Sequence, residues 1–199
     1  RPVVFATEGK GKQTVQLFRD HLITKGGHPN RVLEVVSDMS GSFVAMDEDA
    51  CAVYSLGGTR LASIQSGYAR PALAAGKTRF VLYNRSGNEL RVESRTQNLY
   101  SKTLENSIYL CAMSDTGTLA VVTDSADSTA RLTVYTSTMS EQLHWDMTGA
   151  QGTPVRMAFA ADSRRLAVAA VTSSAGQLQA NLFVLSLAQG DPVQLSSGD

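Results

Sequence analysis

The stretch IYLCAMSDTGTLAVVT, residues 108–123, decides the fold. Ile108 to Met113 and Leu119 to Thr123 are short apolar runs, and Ser114-Asp115-Thr116-Gly117 is a turn cluster between them. Runs this short, rich in Val, Leu and Tyr and bounded by Gly, Asp and Ser, read as antiparallel strands joined by a tight turn. Working outward, Leu132 to Tyr135 and Gln142 to Trp145 supply a third and a fourth strand. The last is the most polar of the four, as an outer, half-solvated edge should be.

The same pattern recurs along the chain. Turns at Ser37-Asp38-Met39-Ser40-Gly41, Ala75-Gly76-Lys77 and Ala161-Asp162-Ser163-Arg164 each lead into an apolar run: Phe43 to Met46, Phe80 to Tyr83 and Leu166 to Val171. Asp38, Gly76, Asp115 and Asp162 are 38, 39 and 47 residues apart, and a second set of anchors, Val53, Val92, Val134 and Val184, is spaced by 39, 42 and 50. The two sets lengthen together, so the extra residues belong between the second and third strands, as loops at Thr123 to Ala130 and Thr172 to Ala180. In the second unit the strands read as Pro71 to Ala74, Phe80 to Tyr83, Leu90 to Ser94 and Leu99 to Thr103. Four-stranded antiparallel units of about 40 to 50 residues are the mark of a β-propeller blade.

The expected fold is therefore all-β, a β-propeller-like array of about four four-stranded blades over residues 31–66, 67–106, 107–150 and 151–199, preceded by an N-terminal segment, 1–30. In that segment a strand at Val3 to Ala6 and a short helix at Thr14 to Ile23 are expected. Four blades are the low end of the usual range of about four to eight. A closed four-bladed ring, a ring completed by a second copy, and a fragment of a longer propeller all fit. The last two are favoured, because an open arc leaves apolar blade faces exposed.

Composition narrows the function classes. With 43% hydrophobic and 18% charged residues in 199, the chain can bury a core and is not of disordered type. Eighteen Lys and Arg balance eighteen Asp and Glu, which removes the whole-molecule attraction expected of a protein that coats nucleic acid or an anionic membrane. Cys51 and Cys111 lie far apart in apolar runs and read as two buried thiols, with a disulfide left open until their geometry is known. The charge-free stretch Leu166 to Gly190 is too polar in its middle to cross a membrane and reads as two buried strands joined by a polar loop.

One family comes into view over residues 64–124. The runs Ile64-Gln65-Ser66-Gly67-Tyr68-Ala69-Arg70-Pro71, Arg79-Phe80-Val81-Leu82-Tyr83-Asn84-Arg85-Ser86-Gly87, Leu90-Arg91-Val92-Glu93-Ser94-Arg95 and Leu119-Ala120-Val121-Val122-Thr123-Asp124 resemble a bacterial family known only as a domain of unknown function, of quinoprotein- or WD40-like propeller type. The resemblance implies a propeller outside the cytoplasm, tethered in the full-length protein by one N-terminal transmembrane helix that this chain lacks. It brings no catalytic residues with it.

Motifs for chemistry are sparse. Gly9-Lys10-Gly11-Lys12-Gln13-Thr14 has the wrong spacing for a phosphate loop. His21, His28 and His144 have no partner at ligand spacing, so no metal and no cofactor is expected. No Gly-x-Ser-x-Gly elbow is present for a nucleophilic serine. Asp47-Glu48-Asp49, Asp124 and Asp127 read as solvated turn residues, and Trp145-Asp146 as an isolated dipeptide in a fourth strand rather than a WD40 signature. Asn84-Arg85-Ser86 is a turn, with Ser86-Gly87-Asn88 closing a hairpin.

That hairpin, Lys77 to Arg95, carries Lys77, Arg79, Arg85, Arg91 and Arg95 against only Glu89 and Glu93. Alternation places Arg91, Glu93 and Arg95 on one face. One reading is an ion-paired blade surface in which Glu93 bridges its neighbours. The other is a patch for an anionic ligand or partner, since guanidinium forks suit carboxylate and phosphate. The residues singled out for binding are Arg85 and Arg91 in the hairpin, with Tyr68 and Arg70 in the loop before it. The expected function is a noncatalytic extracytoplasmic binding or scaffold module. Its loops at Gln65 to Arg70, Asn84 to Asn88, Asp124 to Thr129 and Thr148 to Thr153 would meet a protein or a cell-envelope glycan, and a homodimer would complete the ring. The alternative is a propeller enzyme, hydrolase or quinoprotein, with its site at the central channel.

Overall fold

A computed structural model of the chain describes residues 32–36, 39–47 and 50–198. They form four four-stranded antiparallel sheets, each a meander in which strands pair in sequence order. The first sheet holds β1 (Val32–Val36), β2 (Ser42–Asp47), β3 (Cys51–Ser55) and β4 (Arg60–Ile64). The second holds β5 (Pro71–Ala75), β6 (Phe80–Asn84), β7 (Glu89–Glu93) and β8 (Asn98–Thr103). The third holds β9 (Ile108–Met113), β10 (Leu119–Thr123), β11 (Ala130–Tyr135) and β12 (Glu141–Met147), and the fourth β13 (Thr153–Phe159), β14 (Arg165–Ser174), β15 (Gln177–Ser186) and β16 (Pro192–Gly198). No helix occurs among the described residues, and none there is long and apolar enough to cross a membrane. The strand and helix expected within residues 1–30, with the Gly9 to Thr14 run, His21 and His28, lie outside the described residues, as do Ser37, Asp38, Glu48 and Asp49.

Successive sheets meet through their first strands, β1 with β5, β5 with β9 and β9 with β13. These strands are innermost, and the sheets radiate from them as blades. Among the described residues no contact of comparable extent returns from the fourth sheet to the first, so the four sheets they form do not close into a ring.

The central strands show why the sequence folds this way. In β6, Phe80 and Leu82 join Val44, Met46 and Val53 in the core between the first two sheets. Val81 and Tyr83, one residue out of step, join Leu90, Val92, Leu119 and Val121 in the core between the second and third. In β10, Val121 faces that same core while Ala120 and Val122 face the next, against Leu132, Trp145, Val168 and Phe183. A strand with period two that is covered on both sides must be apolar at every position, hence the unbroken runs FVLY and LAVV. Each large side chain so buried contributes roughly 1.5–3 kcal/mol relative to exposure. The fourth strands β4, β8 and β12 are mostly exposed or partly buried, apart from Ile64, Trp145 and Met147, as their polar composition required.

One expectation fails. Thr172 to Ala180 is not a loop. β14 and β15 run on in register through Thr172↔Gln179, Ser173↔Leu178 and Ser174↔Gln177. The turn is only Ala175-Gly176, both at positive φ (51° and 81°), the backbone of a two-residue hairpin turn. Polar composition reads as a loop, but a hairpin projecting beyond its neighbours needs no apolar face, so composition does not end it. The charge-free segment is accordingly two long strands. Cys51 and Cys111 are both buried and neither is in a disulfide, and burial pushes the Cys111 thiol well above its usual range.

Candidate binding surface at the connector end

Each sheet has two unlike ends. Register places Pro71↔Asn84 and Glu89↔Thr103 at one end of the second sheet, with Ala75↔Phe80 and Glu93↔Asn98 at the other. The first of these, the connector end, carries the crossings between sheets and the turns between second and third strands. Gln65 to Arg70, Asn84 to Asn88, Asp124 to Thr129 and Thr148 to Thr153 all lie on it. Four loops far apart in sequence thus share one rim, because in a repeated meander corresponding connections fall on the same side.

The basic residues of the Lys77 to Arg95 hairpin divide between the two ends. At the hairpin end they tie sheets together. Lys77 Nζ is 3.0 Å from Asp115 Oδ2, Arg79 Nη1 donates to the Ser137 carbonyl at 2.7 Å, and Arg95 Nη1 donates to the Ser40 carbonyl at 3.1 Å. Gly76 belongs to the same seam: a Cβ there would overlap the Ser114 carbonyl. The backbones of the second and third sheets therefore approach closely only because this residue has no side chain.

Arg91 and Glu93 share one face, as alternation required, while Arg95 lies beyond β7 and turns to the first sheet. Glu93 is buried at 2% exposure, and its Oε1 accepts from Arg91 Nε and Asn98 Nδ2, each at 2.8 Å. The buried carboxylate is thus paired and hydrogen-bonded, the condition under which such burial is tolerated. Tyr68 lies on this same side of the sheet. It packs against the core between the first two sheets, and its phenol is raised by burial, with Arg91 opposing. A cleft of about 40 Å³ beside it, lined by Met46, Asp47, Ser66 and Leu82 among others, has room for little more than a water molecule.

Arg70 and Arg85 occupy the other side. The Arg85 N–H donates to the Arg70 carbonyl at 2.8 Å, one step beyond Pro71↔Asn84, so the two arginines face each other across the end of the β5–β6 pair. The Arg70 N–H donates to Asn84 Oδ1 at 3.1 Å, and Arg70 Nη1 reaches Ser86 Oγ at 3.4 Å. Beneath them Tyr83 is buried, hydrogen-bonded to the Arg85 side chain and to the Cys111 backbone. Its phenol is pushed up to about 12, chiefly by burial, with the Cys111 thiol adding and Arg85 opposing. Glu89, held below the usual carboxylate range by hydrogen bonds from Asn84 first and from backbone amides, closes the turn. Nearby on β9, Tyr109 is raised by partial burial and by its hydrogen bond to Asp124.

The four residues singled out from sequence are thus brought together in two pairs, Arg70 with Arg85 and Tyr68 with Arg91, on opposite faces of one blade. Sequence reasoning missed Ser86. Its N–H donates to the Ile108 carbonyl at 2.8 Å, and the Ile108 N–H donates to the Gly87 carbonyl at 2.6 Å, pinning the turn to β9 of the next sheet. Ser86 itself sits at φ 64°. The turn read at Asn84-Arg85-Ser86 was the only local signal, and it does not say what the turn touches. Among the described residues no group of three or more His, Cys, Asp or Glu side chains is placed to hold a metal ion.

Solved structures of β-propeller-like fold share this arrangement at low sequence identity. A eukaryotic initiation factor superposes with a TM-score of 0.58 at 11% identity, over 89% of this chain and 46% of that one. The N-terminal domain of Nup159 gives 0.53 at 12%, over 90% and 53%, and Kluyveromyces lactis Hsv2 with complete loop 6CD gives 0.54 at 13%, over 78% and 48%. The chain spans about half the length of these structures, and at such identity the likeness concerns fold alone. No curated protein matches the chain in sequence. Residues 30–191 match DUF5711, described as a family of unknown function. The repeated blades of this chain belong to that family: the protein is a member of DUF5711.

Proposed function

We propose that the chain is a noncatalytic binding or scaffold module, held outside the cytoplasm of a bacterial cell by a membrane tether of the full-length protein, whose connector end meets a protein or a cell-envelope glycan. The observation that carries this reading is the gathering of four separate loops on one rim, around two exposed arginines that have no carboxylate within 4.0 Å among the described residues. Of the hairpin's other cations, Lys77, Arg79 and Arg95 are engaged in holding blades together and Arg91 is paired with Glu93. Exposed, rigidly mounted polar loops are where binding concentrates in folds of this kind. The test is titration of the chain with cell-envelope glycan fragments by calorimetry, beside variants in which Gln65 to Arg70 or Asn84 to Asn88 is replaced by Gly and Ser. Binding abolished by either replacement supports the proposal. Binding that survives both, or that is lost only in Lys77 and Arg79 variants, refutes it. Protease accessibility of the full-length protein on intact cells checks the location.

The same reading gives the open array a partner. A second copy of the chain completes a larger ring against the face of the fourth sheet that no described sheet covers. Support comes from that face's apolar side chains and from the chain's half-length match to solved propellers. Sedimentation at twice the mass of one chain is the expected outcome, and a strictly monomeric species across concentration overturns it.

A further inference from the structure

We infer that Arg70 and Arg85 form a binding site for a doubly charged oxyanion, a phosphate or sulfate group, at the connector end between the second and third blades. The inference rests on the binding-module reading and names the chemistry that its surface takes.

Three observations carry it. First, the two arginines are set opposite each other by a backbone hydrogen bond, Arg85 N–H to the Arg70 carbonyl at 2.8 Å, at the end of a strand pair whose register is fixed by Pro71↔Asn84. Like charges placed directly across a strand pair repel, so the arrangement is unfavourable until something negative lies between or above them. Second, both are exposed, and no ion pair to either is present among the described residues, whereas Lys77, Arg91, Arg131 and Arg165 each have a carboxylate within 4.0 Å. The acid of the same turn, Glu89, is committed to Asn84 and to the Asn88 amide.

Third, the mounting is rigid. Ser86 and Gly87 are tied to Ile108 of the next sheet by two backbone bonds, Asn84 fixes the Arg70 amide, and the Tyr83 hydroxyl holds the Arg85 side chain from below. Ser86 Oγ accepts from Arg70 Nη1 at 3.4 Å, which leaves its own proton to donate. A site with two guanidinium forks and one hydroxyl donor supplies donors only. It matches the several acceptor oxygens and double charge of a phosphate or sulfate better than a single carboxylate, which neutralises one arginine and leaves the other.

The probes are inorganic phosphate and sulfate, with acetate as the monoanionic control, each titrated at matched ionic strength while the amide resonances of Arg85, Ser86, Gly87 and Ile108 are followed. Saturable shifts with phosphate and sulfate are expected, with acetate binding at least about tenfold more weakly. Arg70→Gln and Arg85→Gln should each weaken binding about tenfold, as for loss of one charge-assisted contact. Arg131→Gln, which removes a paired arginine elsewhere, should leave it unchanged. Arg70→Gln touches nothing buried, so it reports even if Arg85→Gln disturbs Tyr83. Shifts that fail to saturate, that are equal for acetate, or that persist in the double variant overturn the oxyanion site. If glycan or protein binding at the loops survives that failure, the ligand class was wrong and the binding surface stands. If loop binding is also absent, both fall. Phosphorylated and sulfated glycan fragments, compared in the same titration, distinguish the two sources of the group.

Discussion

The fourth sheet has two faces of nearly the same composition and opposite fates. Toward the third sheet, Leu166, Val168, Ala170, Phe183 and Leu185 are buried with Leu132, Trp145 and Met147. On the reverse face, the register rows Ala158, Ala167, Val184, Val193 and Ala169, Leu182 have no sheet against them among the described residues. Leu182 and Val193 are 37% and 60% exposed, and five of the eight exposed large hydrophobic residues among those described belong to β13–β16. Adjacent residues in one strand thus differ in burial only because one side has a neighbour. What stabilises a blade is therefore the next blade.

The sharpest way to break this comparison is to truncate neighbours in β15. Phe183 meets Trp145 edge-on at 5.2 Å between ring centroids. Phe183→Ala should cost about 3–5 kcal/mol, the range for deleting a buried aromatic ring. Leu182→Ala, one residue away on the uncovered face, should change the stability of the isolated chain by about 0.5 kcal/mol. Denaturant unfolding at low protein concentration reads both. A large loss in Leu182→Ala at low concentration would mean that the face is covered within a single chain. A loss that grows with concentration would support the second copy.

Glycines sharpen the same contrast by about half as much. Gly76→Ala drives a methyl group into the Ser114 carbonyl where the second and third sheets meet. Backbone against backbone has no soft partner to yield, so a loss of about 2–3 kcal/mol is expected. Gly176, at the tip of the β14–β15 hairpin, has nothing within 4 Å of an added Cβ and bears only the strain of φ 81°. Gly176→Ala should lose about 1 kcal/mol. Thermal melts of the two variants check the order.

How much of this was legible follows from which forces are local. The runs FVLY and LAVV announced strands covered on both faces, and the Asp and Gly turns at regular spacing announced the blades, because both are written in consecutive residues. The uncovered face of the fourth sheet was not legible: LAVAAV reads the same whether one side or both are covered. Nor were the destinations of Lys77, Arg79 and Arg95. Their partners Asp115, Ser137 and Ser40 belong to other blades, and the Ser137 and Ser40 acceptors are carbonyls that every residue possesses. The long β14–β15 hairpin was not legible because Thr172 to Gln179 carries only Ala175 and Leu178 as apolar residues, and Leu178 is 71% exposed, with no described sheet to bury against.

Tyr83 tests a covered face through its chemistry. Its phenol keeps its proton to about pH 12 in the folded chain, whereas an unfolded tyrosine releases it near 10. The folded state therefore binds more protons in that window, and the stability so gained is present below pH 10 and lost as pH rises from 10 to 12. Two units correspond to about 2–3 kcal/mol. Tyr83→Phe should lose part of the neutral-pH stability, through the Arg85 and Cys111 hydrogen bonds, while flattening the alkaline limb of the unfolding curve. An unchanged alkaline limb would place the hydroxyl in contact with water.

The smallest effect lies at the rim, where coverage ends. Arg131 and Asp146 are cross-strand partners on β11 and β12, with Nε to Oδ1 at 2.6 Å and Nη2 to Oδ2 at 3.0 Å. The hydrogen bonds from Arg131 hold the Asp146 carboxyl below its usual range. Its contribution is present above the ordinary carboxylate range and disappears as pH falls through the lowered value. Both side chains are some two-fifths exposed, so water and salt screen the pair heavily. Asp146→Asn should lower the melting temperature only at the edge of detection in dilute buffer, and not at all in about 1 M salt. Arg70→Gln should move the other way in dilute buffer, because it removes a repulsion instead of an attraction, and its effect should fade over the same salt range. If both variants respond to salt with the same sign, Arg70 has a negative partner, and the two arginines are not the opposed, unsatisfied pair that the oxyanion site requires.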